Sequence, residues 1–327
     1  MTICGSAGDA WFYRLDVWVA MGIALTPMTS LYGSDLFCGV HKGKVYVQTS
    51  DDLPVLAGRN AWFFGAVVDS MQSALITGAT VISPSGSSVL LAWDVDSKMY
   101  GTRAYFQTQI ELDNVYTNGF YSIHVAGIAN QPRDINLTGD NYPSPLRIAN
   151  LTAAQTIRTD KDFELTWDAS SQGGSDDRIR LYIYDSQRRP VFLNPHGDFL
   201  PAQATSVTIP SHTLASGCEY NAVLMLIHVV WSGQDGEPLI RRDASYYAVT
   251  QFKMYALPRL VGISPAMNGT VRLSVEATTN RPCILEASTE FSGWVTISTN
   301  TLPTNVYDLY DTNASDYKYR FYRLKVP

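Results

Sequence analysis

The residue types that most often carry chemistry are all present in this chain, but their spacing brings few of them together. Nucleophilic hydrolysis needs a Ser or Cys within reach of a His, commonly on a strained elbow. No G-x-S-x-G occurs, and Ser83-Pro-Ser-Gly86 reads as a hairpin turn. His41, His124, His196, His212 and His228 stand far apart, without the close pairs that metal sites use. His124 and His228 fall inside expected strands, as core-edge side chains. Glycoside chemistry would need two carboxylates roughly 5–9 Å apart. Asp94 with Asp96, Asp176 with Asp177, and Asp311 with Asp316 are the candidates, each in an expected turn. Asp is favoured there because its side chain bonds local backbone. Calcium is the stronger functional version of such clusters, although no D-x-D-x-D-G loop occurs. The expectation is therefore no catalytic and no metal residue, with Ca2+ the one cofactor that the loops would admit.

Aromatic side chains offer more. With 19 Tyr and 7 Trp the chain has ample flat apolar surface on which sugar rings could stack. Trp62, Trp93 and Trp167 sit in apolar strand contexts and are expected in the core. Trp231, at a strand end before an expected loop Ser232 to Asp243, is the expected binding residue, together with Tyr246 and Tyr247. The competing reading is a tryptophan that shields a sandwich end.

The elements that would position these residues are strands. Lys44 to Thr49 alternates, Ala61 to Val68 is nearly continuous and apolar, and Ala79 to Ser83 with Val89 to Trp93 reads as a hairpin. Tyr105 to Leu112 and Phe120 to Ala126 are expected as strands joined through Asn118-Gly119, a strong turn dipeptide. Asn130 to Pro145, rich in Asn, Pro, Gly and Asp, reads as a linker or long crossing strand. A second cycle follows, with Phe163 to Trp167, Ile179 to Asp185, Ser206 to Ile209, Tyr220 to Val230 and Tyr246 to Tyr255. A third contains Val271 to Ala277, Cys283 to Ala287, Trp294 to Ser298 and Tyr319 to Val326. No segment keeps a 3.6-residue period over three turns. The expected fold is all-β, three β-sandwich modules in series. Their expected bounds are 36–135, 143–257 and 258–327, after a leader or signal-like segment at 1–35.

Composition agrees. At 327 residues the chain suits two or three domains, and 46% hydrophobic residues suffice for real cores. A net charge of -6, with basic clusters no longer than Arg188-Arg189 and Arg241-Arg242, argues against nucleic acid. Cys4, Cys38, Cys218 and Cys283 form no CxxC pair and read as isolated buried thiols. Val17 to Leu31 is apolar but short for a membrane span, follows Arg14, and precedes small residues. That pattern resembles a signal peptide and favours export, with a first strand or helix of the fold as the competing reading and no stable membrane span expected. Four Asn-x-Ser/Thr triplets, at Asn136, Asn150, Asn268 and Asn313, mark polar turns.

Leu214-Ala-Ser-Gly217-Cys-Glu-Tyr220 fits the L-x-x-G-x-x-Y pattern that precedes strand F of sandwiches, so the second module resembles a fibronectin type III domain. The resemblance implies a tyrosine corner, with the Tyr220 hydroxyl folded back on upstream backbone. Trp167 is placed like the core tryptophan of such domains. The third module, through Leu285-Glu-Ala-Ser-Thr289, Trp294, Asp311 and Tyr319-Arg-Phe-Tyr-Arg323, is similar to small C-terminal sandwiches of large secreted proteins of environmental bacteria. The first module and its join to the second, through Gln48-Thr49, Tyr121-Ser-Ile-His-Val125 and Leu137-Thr-Gly-Asp140, are similar to what precedes the repeats in those proteins. These tandem immunoglobulin/fibronectin-like proteins are functionally uncharacterised, so the likeness implies architecture and localisation rather than chemistry. The expectation is a non-enzymatic, secreted or cell-surface protein that binds or acts as a spacer, with polysaccharide or a surface protein as partner. The alternatives are an accessory region of a secreted carbohydrate-active enzyme, or an anchoring and assembly module.

Overall fold

The computed structural model describes residues 36–70, 76–95, 98–127, 129–170, 174, 176–194, 199–235, 240–279 and 282–325. The expected leader, residues 1–35, lies outside them. The fold is all-β and built of sandwich modules. Its organising element is a hairpin of two long strands, β14 (Glu219–Asp235) and β15 (Ile240–Tyr255). At about 3.3 Å per residue each is long enough to pass through two modules.

The first module begins with β1 (Leu36–Val47), which pairs antiparallel with β3 (Trp62–Ser70) and with the short β2 (Val55–Leu56). The sheet continues through β6 (Met99–Phe106), β5 (Ser88–Asp94), β4 (Gly78–Ile82), β7 (Gly119–Ala126) and β8 (Ala129–Leu137). It curls so that β8 packs back over β1, β14 and β15. The space between is filled by Leu36, Val40, Phe64, Val81, Ile123, Ile135 and their neighbours. Asn130 to Leu137 is thus a strand rather than a linker. Its Pro132 is tolerated because β8 ends the hydrogen-bonded path, where a missing N–H breaks no ladder.

Between β6 and β7 lies helix α1 (Gln109–Val115), not the strand expected through Leu112. Thr108 caps it. The Thr108 hydroxyl accepts from the Glu111 backbone N–H, and the Glu111 carboxylate accepts in turn from the Thr108 N–H. This reciprocal box overrides the β-preference of Tyr105 and Phe106, which end the preceding strand. Asn118-Gly119 consequently closes a helix-to-strand loop, not a hairpin.

The second module sets β9 (Phe163–Thr166) and β13 (Ser206–Ile209) against β10 (Arg178–Tyr184), β14 and β15. Edge strands β11 (Pro190–Leu193) and β12 (Leu200–Pro201) pair with β10. A one-turn helix α2 (Leu151–Ala154) precedes β9. Trp167 is buried in the core and its indole N–H donates to the Ala204 carbonyl at 2.7 Å. The tyrosine corner is formed: the Tyr220 hydroxyl accepts from the Ala215 N–H at 2.7 Å. Burial first, against that hydrogen bond, pushes the Tyr220 hydroxyl up to about 12.

The third module faces β16 (Arg259–Pro265), β17 (Val271–Glu276) and β20 (Val306–Asp311) with β18 (Pro282–Ser288), β19 (Val295–Thr301) and β21 (Phe321–Lys325). Its core holds Leu273, Val275, Cys283, Leu285, Leu302 and Leu309.

The first two modules are not simply consecutive. β1 pairs in parallel with β15 over twelve positions, from Leu36 opposite Ile240 to Val47 opposite Gln251. One sheet therefore runs through both sandwiches. At the lower end of β1 the Gln48 side chain imitates backbone, donating to the Ile148 carbonyl at 2.9 Å and accepting from its N–H at 2.7 Å. Ser232 to Asp235 and Ile240 to Asp243, expected in a loop, extend this ladder instead. Ser232 and Gln234 are exposed on β14, and Arg241 and Arg242 belong to β15. Cys38 and Cys283 are buried free thiols; Cys218 is disulfide-bonded, which departs from the expectation of four isolated thiols.

Candidate functional site

The central strands β3, β1, β15, β14 and β10 expose two faces to very different chemistry. On one face, among the described residues, the buried apolar residues of the cluster come from this sheet: Val45, Phe63, Tyr182, Tyr184, Val223, Met225, Ile227 and Val249. The other two clusters that touch these strands each draw on two facing layers. Arginines lie among the rings. Arg103 sits 5.3 Å from the Phe63 centroid, and Arg180 4.7 Å from Phe199. Such pairs add to affinity between a cation and a ring face. Gly65 leaves the space that His41 fills, for a Cβ there would meet Nε2 at 2.1 Å. The His41 ring stacks on Tyr247 at 4.8 Å. Burial, then the Arg103 charge, holds the His41 imidazole well below its usual range, so it is neutral. Asp243, at the edge of the same face, has its carboxyl pushed up by burial, against the pull of Arg178.

The opposite face carries a polar centre around Lys42. Its side chain is fully buried on β1, with Phe64 and Tyr246 as cross-strand neighbours. The ammonium donates to Asp113 Oδ1 at 2.5 Å, from α1, and to Asn118 Oδ1 at 2.8 Å, from the loop before β7. The Asn118 amide N–H groups donate to the Gly139 carbonyl at 2.8 Å and to Asp140 Oδ1 at 2.9 Å. The Tyr246 hydroxyl lies 3.1 Å from Asn118 Oδ1 and against the Gly139 carbonyl. Tyr142 closes the centre, its ring 4.7 Å from that of Tyr246. Lys44, one step out on the same face, lies 4.4 Å from the Trp62 ring and 4.5 Å from that of Tyr142. Burial pulls its ammonium down, partly offset by Asp140.

The three aromatic residues expected to bind do not form one surface. Tyr246 is fully buried and sealed by its hydrogen bonds, so it cannot present a ring to a ligand. Its strand context reads as apolar at either face, which is why sequence alone misplaces it. Tyr247, the next residue on β15, points to the other face and stacks on His41. Trp231 is half-buried; Arg242 covers it at 5.2 Å and a Cβ at Gly233 would meet its ring at 2.7 Å.

The carboxylate candidates also have structural duties. Asp177 is buried and accepts from the Gly174 and Val229 N–H groups and from His228, at 2.9 to 3.1 Å. Asp311 accepts from the Tyr322 hydroxyl at 2.9 Å and pairs with Arg320 at 3.1 Å. Asp96 and His196 lie outside the described residues. Among the described residues no group of three or more His, Cys, Asp or Glu could hold a metal ion. Ser83 bonds Ser85 and the Ser87 N–H within its turn. Lys42 and Asp113 were not singled out by sequence, and Asn118 only as a turn residue, because Lys42 and Asn118 are 76 positions apart. The local signal that existed, Thr108 with Glu111, would have placed Asp113 on a helix.

No family model and no curated protein match this chain. Solved structures similar to it include the FN1–FN3 domains of chicken contactin 1, at 9% identity and TM-score 0.20 over 82% of this chain and 88% of that one. A DUF4785 family protein from Legionella pneumophila matches at 11% identity and TM-score 0.27, over 85% and 80%. Salmonella alpha-2-macroglobulin matches at 10% identity and TM-score 0.20, with 90% of this chain on 22% of that one. The β-sandwich assignment rests on the strand pairing and cores described above. Among the described residues no helix is long and apolar enough to cross a membrane.

Proposed function

We propose that this is a non-enzymatic spacer of the cell exterior, a stack of sandwiches that holds a partner, polysaccharide or surface protein, away from its attachment. The observation that supports it is the parallel ladder of β1 with β15, which replaces a flexible linker by twelve paired positions. A linker joined by few contacts leaves modules free to reorient, whereas a shared sheet transmits load through backbone hydrogen bonds. Catalysis on an outside substrate would need converging groups open to it, and the carboxylate candidates Asp177 and Asp311 are committed to backbone and ion-pair partners. Two measurements test this reading. Protease shaving of intact producing cells is expected to release peptides of this chain, whereas peptides recovered only after lysis would overturn the exterior placement. Force unfolding of single molecules is expected to release the first two modules in one event. Separate release of all three modules would overturn the role of the shared sheet.

A further inference from the structure

We infer that Lys42 and Asn118 form an intramolecular amide bond, produced by the protein itself. This goes beyond the spacer reading and does not depend on it. The geometry is that of an acyl transfer held at its starting point. The amine nitrogen of Lys42 already sits 2.8 Å from the carboxamide oxygen of Asn118, so the carbonyl carbon lies one covalent bond behind its hydrogen-bond partner. Asp113 Oδ1, 2.5 Å from the same nitrogen, is the base that can take its proton. The lysine side chain is wholly removed from water, and a buried nucleophile aimed at a fixed electrophile gains from proximity alone.

Every atom of the Asn118 carboxamide has a defined task. The orientation of the amide is set by its surroundings: lysine can only donate, which places the oxygen toward it, and the Gly139 carbonyl and Asp140 carboxylate can only accept, which places the nitrogen toward them. The Tyr246 hydroxyl lies 3.1 Å from the oxygen and against the Gly139 carbonyl, so its one O–H must turn from that carbonyl to meet negative charge developing on Oδ1. Asp140, 2.9 Å from the nitrogen, accepts from the group that will leave.

The step balances without any outside reagent. Lys42 gives one proton to Asp113, and the neutral amine attacks Cγ of Asn118. The Nζ–Cγ bond forms, and the carbonyl electron pair moves to Oδ1 beside Tyr246. Collapse of that intermediate breaks the Cγ–Nδ2 bond; the two protons that the lysine ammonium gives up, the first of them by way of Asp113, end on Nδ2, which leaves beside Asp140 as ammonium. A lysine ammonium and a carboxamide become a secondary amide and an ammonium ion, with no change of oxidation state. The new bond would tie the middle of β1 to the loop that opens β7, closing the first module covalently.

The alternative is an ordinary buried ion pair with a hydrogen-bonded asparagine, and mass spectrometry separates the two. A digest of the full-length protein is expected to contain one branched peptide joining the segments that carry Lys42 and Asn118, lighter than their sum by one ammonia. Asn118 precedes Gly119, whose backbone nitrogen can also expel ammonia to give a cyclic imide. That product is unbranched and would persist in Lys42→Arg, whereas the amide bond would be lost in Lys42→Arg and in Asn118→Ala. Recovery of the two segments as separate linear peptides from the folded wild-type protein, with or without the imide, would overturn the inference. The wild-type digest decides the matter even where a variant fails to fold.

Discussion

The two joins in this chain are made by opposite means. Between the first and second modules, β15 serves both cores: Ile240, Ala244 and Tyr246 line one, and Phe252 and Met254 line the other. Between the second and third, a turn and a strand end meet at a corner. The Thr278 hydroxyl donates to the Gly217 carbonyl, and a Cβ at Gly217 would come within 2.6 Å of the Thr278 backbone nitrogen. The first join is a shared ladder and the second a point of close approach. The difference teaches that tandem sandwiches can be either fused or hinged within one chain, according to whether a strand outgrows its own module.

The sharpest test compares core truncations on either side of the hinge. Phe252→Ala should cost about 3–5 kcal/mol, and hydrogen exchange should show the first module losing protection together with the second. Leu285→Ala should cost about 2–5 kcal/mol while leaving protection in the first two modules unchanged. If the first module keeps its protection in Phe252→Ala, the fused description fails. Gly217→Ala probes the hinge itself. Gly217 has φ +73, so a side chain adds backbone strain to the clash with Thr278, for a cost on the order of 1–3 kcal/mol. Its expected signature in denaturant titrations is a third module whose unfolding separates further from the rest.

A smaller effect distinguishes the fused sheet by pH. His41 is neutral in the fold because its folded pKa lies below the unfolded value near 6.5. On acidification through that value the unfolded chain gains a proton that the folded chain does not, so stability falls as pH drops. The slope should approach about 1.4 kcal/mol per pH unit. In His41→Gln the corresponding part of the slope between pH 6.5 and the lowered folded pKa should vanish, as read from urea midpoints. An unchanged slope would place the titration elsewhere.

Much of this architecture is legible from local pattern. Phe163 to Thr166, Ser206 to Ile209 and Val271 to Glu276 alternate with period two, and each is a half-buried strand. Leu214, Gly217 and Tyr220 announce the tyrosine corner because its hydrogen bond spans only a few residues. What local pattern cannot carry is pairing between distant segments. Ser232, Gly233 and Gln234 look like a loop until β1 and β15 are seen to extend the ladder beside them. Tyr246 looks like any strand aromatic until Asn118 and Gly139 arrive from another part of the chain. Lys42 is the extreme case: a charged residue on an apolar strand reads as solvent-facing, and only a helix carboxylate and a loop amide make its burial tolerable.

The parallel pairing of β1 with β15 also sets a schedule for synthesis. β1 leaves the ribosome about 200 residues ahead of its partner, and at about 5–20 residues per second that is a delay of roughly 10–40 s. Throughout that interval the first module has an apolar central strand with one side of its backbone unpaired. Long-range pairing of this kind is slow to form, and open edges recruit other chains. Until Gln251 has cleared the exit tunnel that edge is open to other chains, and high-level expression should favour aggregates seeded through residues 36–47.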